Sequence, residues 1–181
     1  MKKLTSLLAV TVSATAFVTS ASALEYKPYV GLDYVRSAPM SYNAREARPQ
    51  YDSASVNVGT TYNAYFGTEL FFQDSYKEER HDTRTSYKGY GLDLVGYLPL
   101  GCDRIFNLLG TAGVGEYKFD LKESGANSST DTGLGYRFGA GAQYHFDDNW
   151  SARALVRYVE FDNMNTLDHT VEYVVGGRYS F

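Results

Sequence analysis

The sequence is short of cysteine, of basic charge and, beyond its first residues, of long hydrophobic runs. Its one cysteine, Cys102, excludes an internal disulfide. It falls in an expected turn, far from the N-terminus, and reads as a free thiol rather than a lipid-anchored residue. Lys and Arg number 17 against 21 Asp and Glu, a net charge of −4. No basic cluster forms the face that a nucleic-acid partner requires. After the leader no run of about 18 apolar residues occurs, which excludes a transmembrane helix. The uncharged stretch 105–115 is too short and rich in glycine. No metal-ligand spacing and no glycine-rich phosphate loop is present, so no metal or cofactor is expected.

What is there begins with Lys2 and Lys3, an apolar stretch over 4–18, and the small-residue site Ala21-Ser22-Ala23. That layout is a secretory signal peptide, cleaved after Ala23. The alternative is a single membrane anchor, for which the stretch is short. Cleavage leaves 24–181 as one domain. Losing Lys2 and Lys3 takes 17 basic residues to 15 against 21 acidic ones, a net charge of −6. Aromatics are plentiful, with 17 Tyr and 10 Phe. An exported, aromatic-rich chain without a helical span has the composition of a membrane barrel, and a secreted soluble β-domain shares it.

The informative signal is period-two alternation. A soluble β-sandwich would also alternate, with its apolar face buried, and the alternating loop lengths and the last residues favour the barrel. The alternation recurs over 28–36, 54–62, 66–73, 87–98, 106–119, 133–146, 150–161 and 170–181. In the clearest run Leu134, Tyr136, Phe138, Ala140, Ala142, Tyr144 and Phe146 share one face. Gly135, Arg137, Gly139, Gly141, Gln143 and His145 share the other. Each segment approaches the roughly 9–11 residues of a tilted membrane strand. Connections alternate between long (37–53, 74–86, 120–132) and short (63–65, 99–105, 147–149), with 162–169 intermediate. Outer-membrane barrels have short periplasmic turns and long external loops. The expected fold is an all-β, eight-stranded antiparallel up-and-down transmembrane barrel with both termini in the periplasm. Closure gives every backbone N–H and C=O in hydrocarbon a partner, which an open sheet does not.

The C-terminus, Tyr173-Val-Val-Gly-Gly-Arg-Tyr-Ser-Phe181, resembles the β-signal of outer-membrane barrels. Tyr173, Val175, Gly177, Tyr179 and Phe181 stand at alternate places. Ala64-Tyr-Phe-Gly-Thr-Glu-Leu-Phe-Phe72 and Leu94-Val-Gly-Tyr-Leu-Pro-Leu-Gly101 are similar to the "porin family", or OmpA/OmpX-like, eight-stranded barrels. The resemblance implies a bacterial outer-membrane location among lipid and lipopolysaccharide. It implies biogenesis through periplasmic chaperones and the barrel assembly machinery. No peptidoglycan-binding periplasmic domain is expected after Phe181.

Eight charged residues fall on faces opposite the apolar ones: Asp33, Glu69, Asp93, Arg137, Arg153, Arg157, Glu172 and Arg178. A charge facing mid-membrane lipid costs about 2–4 kcal/mol for Arg or Lys, so these belong to the lumen, where burial demands partners. They read as a structural plug or, alternatively, as an ion path. Eight strands leave an interior that side chains fill, so no wide pore is expected. Tyr29, Tyr65, Phe66, Phe146, Trp150, Tyr179 and Phe181 are expected to form a periplasmic aromatic girdle, and Tyr34, Tyr90, Tyr117, Phe119 and Tyr158 an external one. Barrel lipid A deacylases use a His-x-Ser pair. His81-Asp-Thr, His145-Phe-Asp and His169-Thr-Val do not match it, so no catalytic residue is assigned. The expected function is structural support of the envelope, with surface interaction or host adhesion through the external loops. A narrow channel for small or hydrophobic solutes, and a lipid A-modifying enzyme, are the alternatives.

Overall fold

The computed structural model describes residues 26–40, 51–76, 78–80, 83–101, 105–123, 129–162 and 169–181. The expected signal peptide, Cys102, His81 and the centres of the expected external loops lie outside the described residues. Eight strands form the wall: β1 Lys27–Met40, β2 Tyr51–Asn63, β3 Phe66–Ser75, β4 Thr83–Leu100, β5 Phe106–Glu123, β6 Ser129–His145, β7 Trp150–Asp162 and β8 His169–Ser180. A short strand, Glu78–Arg80, pairs with the first residues of β4 and continues the β3–β4 hairpin outward.

Every pairing is antiparallel and between chain neighbours, apart from the seam where β1 meets β8. That seam runs from Tyr29↔Ser180 to Met40↔His169, and the Phe181 amide extends it by donating to Pro28 O at 3.0 Å. With β3 also paired to β4, the sheet closes into an eight-stranded barrel in which each wall strand is paired on both sides.

One end of the barrel carries the tight turns. Asn63 Oδ1 accepts from the Tyr65 amide at 2.8 Å. Asp147 Oδ1 accepts from the amides of Asn149 at 2.8 Å and Trp150 at 2.6 Å. These are side-chain-capped turns of the kind Asn and Asp favour. Gly101, at φ +82°, supplies the left-handed residue that starts the β4–β5 turn. Both ends of the wall, Lys27 and Ser180, lie at this same end.

At the opposite end the strands outrun the alternating segments. The stretches 37–53, 74–86 and 120–132, expected as loops, contain paired strand at Ser37–Met40, Tyr51–Ser53, Thr83–Ser86 and Asp120–Glu123. The residues there are mostly polar at successive positions, as in Asp52-Ser53 and Thr83-Arg84-Thr85-Ser86, so the hydrophobic alternation ends while the backbone ladder continues.

Side chains alternate between lumen and outside along each strand. Inward apolar residues form two clusters. One holds Phe71, Tyr87, Tyr117, Val159 and Phe161. The other holds Val35, Val95, Tyr97, Leu109, Leu155 and Val174. Two expected girdle residues are therefore corrected. Tyr29 shares the parity of Asp33 and Val35, and is 2% exposed inside the barrel. Tyr117 is fully buried there, while Lys118 is exposed outside. A large inward ring fits because glycines face it. Tyr29 lies opposite Gly59, and Tyr117 opposite Gly89 and Gly133. A Cβ on Gly89 would stand 2.7 Å from the Tyr117 ring and one on Gly135 2.5 Å. The side chain of Phe119 lies outside the described residues.

The lumen and outer ring as candidate functional site

The eight expected lumen charges all lie on the inner face, and all are 2% exposed or less. They divide into two networks of two acids and two bases each, so these eight charges sum to zero.

The first lies nearer the tight turns. Arg153 Nε donates to Asp33 Oδ1 at 3.0 Å, and its Nη2 also engages Asp33 Oδ2, a two-pronged pair. The same guanidinium holds Glu69 from Nη1 at 3.0 Å and from Nη2 at 2.9 Å. Arg178 reaches Glu69 from the other side through Nη2, and donates from Nη1 to Tyr97 Oη at 3.0 Å and Gln143 Oε1 at 3.2 Å. The Tyr29 hydroxyl donates to Glu69 Oε2 at 3.0 Å, and Asn57 Nδ2 to Asp33 Oδ2 at 2.9 Å. The Arg178 guanidinium also lies over the Tyr29 ring, 4.5 Å from its centroid.

The second lies nearer the open hairpins. Arg137 grips Asp93 through Nε at 2.6 Å and through Nη2, with its guanidinium carbon 3.2 Å from the centroid of the Phe71 ring. Arg157 Nη1 donates to Glu172 Oε2 at 3.3 Å, and its Nη2 stands 4.0 Å from Asp93 Oδ2. The other Glu172 oxygen accepts from Ser37 at 3.3 Å, Gln73 at 3.1 Å and Tyr87 at 3.3 Å.

The two-pronged pairs share one construction. Asp93, Gly113 and Arg137 stand in register across β4, β5 and β6. Asp33, Gly176 and Arg153 do so across β1, β8 and β7. In each triplet the middle strand contributes no side chain, and the carboxylate occupies the space where a Cβ would be. The arginine thus reaches an acid two strands away. Sequence reasoning placed these charges in the lumen without pairing them. Asp33 and Arg153 are 120 residues apart, and only the closing register brings them together.

Below the first network the turn end opens into a cavity of about 470 Å³, lined by Lys27, Tyr29, Tyr97, Asn107, His145 and Arg178 among others. His145 Nε2 lies 3.0 Å from Asn107 Nδ2 and 3.3 Å from Gln143 Nε2. Among the described residues no group of three His, Cys, Asp or Glu side chains is placed to hold a metal ion.

The outer face is apolar over a band of consistent height. On β4 the outward positions from Leu100 to Tyr90 are uncharged, and Lys88 follows. Ten residues at about 3.3 Å each, tilted by about 40°, span roughly 25 Å, the height of a barrel's lipid-facing band. The same run ends in a charged or ionisable residue on seven of the eight strands: Arg36, Asp52, Asp74, Lys88, Glu116, Glu160 and His169. On β6 it ends in Thr132. At the turn end, exposed Tyr65, Phe66, Phe146, Trp150 and Phe181 form an aromatic edge. Its rings pack in T-shaped contacts, Trp150 on Tyr179 at 5.0 Å and Tyr179 on Phe181 at 5.2 Å. Tyr34, Tyr90 and Tyr158 are exposed on the outer face near the ring of charges. Of the C-terminal pattern, Tyr173, Val175, Gly177 and Phe181 are exposed outward and Tyr179 is partly so. A lipid-facing band between two aromatic edges accounts for this surface.

A family model described as "Outer membrane protein beta-barrel domain" matches residues 4–181. No curated protein matches the sequence. Among solved structures, Neisserial surface protein A is 14% identical, with a TM-score of 0.68 over 86% of this chain and 97% of that one. The attachment invasion locus protein Ail of Yersinia pestis is 17% identical, with a TM-score of 0.62 over 88% and 100%. The N-terminal β-barrel domain of Pseudomonas aeruginosa OprF is 14% identical, with a TM-score of 0.59 over 87% and 100%. At such identities these likenesses bear on the fold alone. The matched model, the closed wall and the lipid-height band agree: the chain belongs to the outer membrane protein β-barrel domain family and is a bacterial outer-membrane barrel.

Proposed function

We propose that this barrel is a closed-lumen envelope protein that supports the outer membrane and presents its external hairpins for surface interaction, and that it conducts no solute. The observation that carries this reading is the self-neutralising interior. Four acids and four arginines hold one another across the lumen, and two packed apolar clusters share the inner face with them. Moving an ion through would mean breaking buried pairs, at about 3–5 kcal/mol for each partner left alone. The purified, refolded protein in planar lipid bilayers is expected to give no stable large single-channel currents. Stable openings under modest voltage would refute the closed lumen and favour the narrow-channel alternative. An enzyme acting on lipid A finds no support in the histidine triplets. Expression of the protein is expected to leave lipid A masses unchanged.

Surface interaction is supported by the strands that run past the ring of charges. It is also supported by a structural neighbour at 16% identity, Ail, which is described in complex with the heparin analogue sucrose octasulfate. Shortening the external hairpins within 41–50 and 77–82, which leaves the paired wall residues Ser37–Met40, Tyr51–Ser53 and Thr83–Ser86 in place, is expected to lower bacterial adherence to host cells. Unchanged adherence would sink the adhesive role. The same reading includes export by cleavage after Ala23, giving a mature mass that starts at Leu24. It also includes recognition of the 173–181 strand by the assembly machinery after passage on periplasmic chaperones. Deleting Phe181 is expected to lower the amount in the outer membrane.

A further inference from the structure

On the inner face at the turn end runs a hydrogen-bond chain whose direction is set from one end. Arg178 is a donor only, and its Nη1 donates to Gln143 Oε1 at 3.2 Å. That fixes the Gln143 amide, whose Nε2 donates to Ser151 Oγ at 2.9 Å. The same Nε2 stands 3.3 Å from His145 Nε2. That ring nitrogen therefore accepts, and the imidazole carries its single proton on Nδ1. Asn107 must then meet His145 Nε2 with its own amide nitrogen, at 3.0 Å, which turns its oxygen away from the ring. The chain ends in one unpaired donor, Arg178 Nε, and one unpaired acceptor, Asn107 Oδ1. Arg178 is 2% exposed and Asn107 8%, and both line the cavity at the turn end.

The charges around this cavity disfavour an ion of either sign. Glu69 already engages the Arg178 guanidinium. At the mouth stand Lys27 of β1 and Asp147 and Asp148 of the β6–β7 turn, all exposed. An anion would face the two aspartates and Asn107 Oδ1. A cation would face Lys27 and Arg178. The group that fits is uncharged, accepts from Arg178 Nε and donates to Asn107 Oδ1. A secondary amide does both, through its oxygen and its nitrogen, and so satisfies two buried polar groups without bringing in a charge. Pro99 and Ile105 line the same cavity and suit the apolar substituents that flank an amide. We propose that the turn-end cavity binds an uncharged small molecule through a secondary amide, that of an acetamido sugar or of a peptide unit, with Arg178 Nε on its carbonyl and Asn107 on its N–H. The short turns of an outer-membrane barrel face the periplasm, so this ligand is met inside the envelope. The proposal goes beyond the envelope role and depends neither on a closed lumen nor on adhesive hairpins.

The test is isotope-edited NMR of the refolded protein in lipid nanodiscs, titrated in separate arms with N-acetylglucosamine, glucose, N-acetylalanine methylamide and acetate. Glucose keeps the sugar ring without the amide, the blocked alanine keeps the amide without the ring, and acetate supplies an anion. Asn107→Leu is compared with wild type and with Thr132→Ala, at the opposite end, once each shows the heat-modifiable mobility of a folded barrel. Wild type is expected to give saturable shifts of the Arg178 Nε–H and Asn107 amide signals with at least one of the two amides, and none with glucose or acetate. Saturation by only one of them supports the site and assigns the source of the amide. Asn107→Leu is expected to bind about fivefold more weakly and Thr132→Ala as tightly as wild type. Equal binding by Asn107→Leu and wild type overturns the role of Asn107. Equal binding of glucose overturns the amide as the recognised group, and tighter binding of acetate overturns the uncharged ligand. No saturable shift in any arm means that the cavity takes up water only, and overturns the site. If Asn107→Leu does not fold, the wild-type arms decide, together with the His145 ring nitrogens. Their proton is expected on Nδ1 at neutral pH, and a proton on Nε2 overturns the wiring that leaves Asn107 Oδ1 unpaired.

Discussion

Arg153→Met tests the interior where its wiring is densest. Arg153 makes a two-pronged pair with Asp33 and two further hydrogen bonds to Glu69. Methionine keeps much of the stem and removes the charge. Asp33 then retains only Asn57, while Glu69 keeps Arg178 and Tyr29. Two carboxylates buried to 2% exposure or less are left short of a cation. Stranding one member of a buried pair costs about 3–5 kcal/mol. At a urea slope of about 2 kcal/mol/M, the unfolding midpoint falls by about 2 M. The assay is reversible urea unfolding in phospholipid vesicles, followed by the fluorescence of Trp150. Adding Asp33→Asn to Arg153→Met removes the stranded charge and leaves Glu69 paired with Arg178, and is expected to recover part of the loss, since removing both members of a buried pair is far less costly than removing one. A loss below about 1 kcal/mol for Arg153→Met, the scale of a solvated surface pair, would refute the reasoning, because it would mean that water already screens these charges.

Glycine substitutions separate the two faces of the wall. Gly113→Ala and Gly176→Ala place a Cβ on the Asp93 and Asp33 carboxylates and within 2.6 and 2.5 Å of the carbonyls of Leu92 and Leu32. Each is expected to lose several kcal/mol in the same titration, whereas Gly110→Ala, with nothing within 4 Å, is expected to fall within about 0.5 kcal/mol of wild type. Tyr117→Ala empties the slot between Gly89 and Gly135 and is expected to cost about 3–5 kcal/mol. Tyr158→Ala, on the outer face at 40% exposure, is expected to lose less than half as much. Equal losses would return Tyr117 to the girdle.

The wall was legible because it is repetitive. Eight alternating runs, short turns at one end and a terminal Phe181 suffice for a closed barrel, since each strand needs the same two faces. Parity failed where a strand carries aromatics on both sides. Tyr29 and Val30 cannot both face lipid, and Asp33 and Arg178 decide which turns inward. For Tyr117 the missing signal was the partner strands. Gly89, Gly133 and Gly135 mark a slot that only an inward ring fills, but this becomes readable once the register is known. The same holds for the ion pairs. Inward charge is visible strand by strand, while pairing depends on neighbours two strands away, such as Arg137 and Asp93 across Gly113. The ends of the external hairpins were missed because their residues, such as Thr83-Arg84-Thr85-Ser86, are polar at successive positions, so the alternation that marks a membrane strand is lost.

Lipid is the solvent for the face that carries Leu134, Tyr136 and Phe138. The direct measurement uses a Trp150→Phe background with one new tryptophan at Phe138, refolded into vesicles whose lipids carry bromine at defined acyl depths. Strong quenching, greatest with bromine near the bilayer centre, is expected because Phe138 is 55% exposed on the outer wall and lies near mid-band. A tryptophan unaffected by bromine at any depth, in a protein that stays folded and monodisperse in water without detergent, would contradict it.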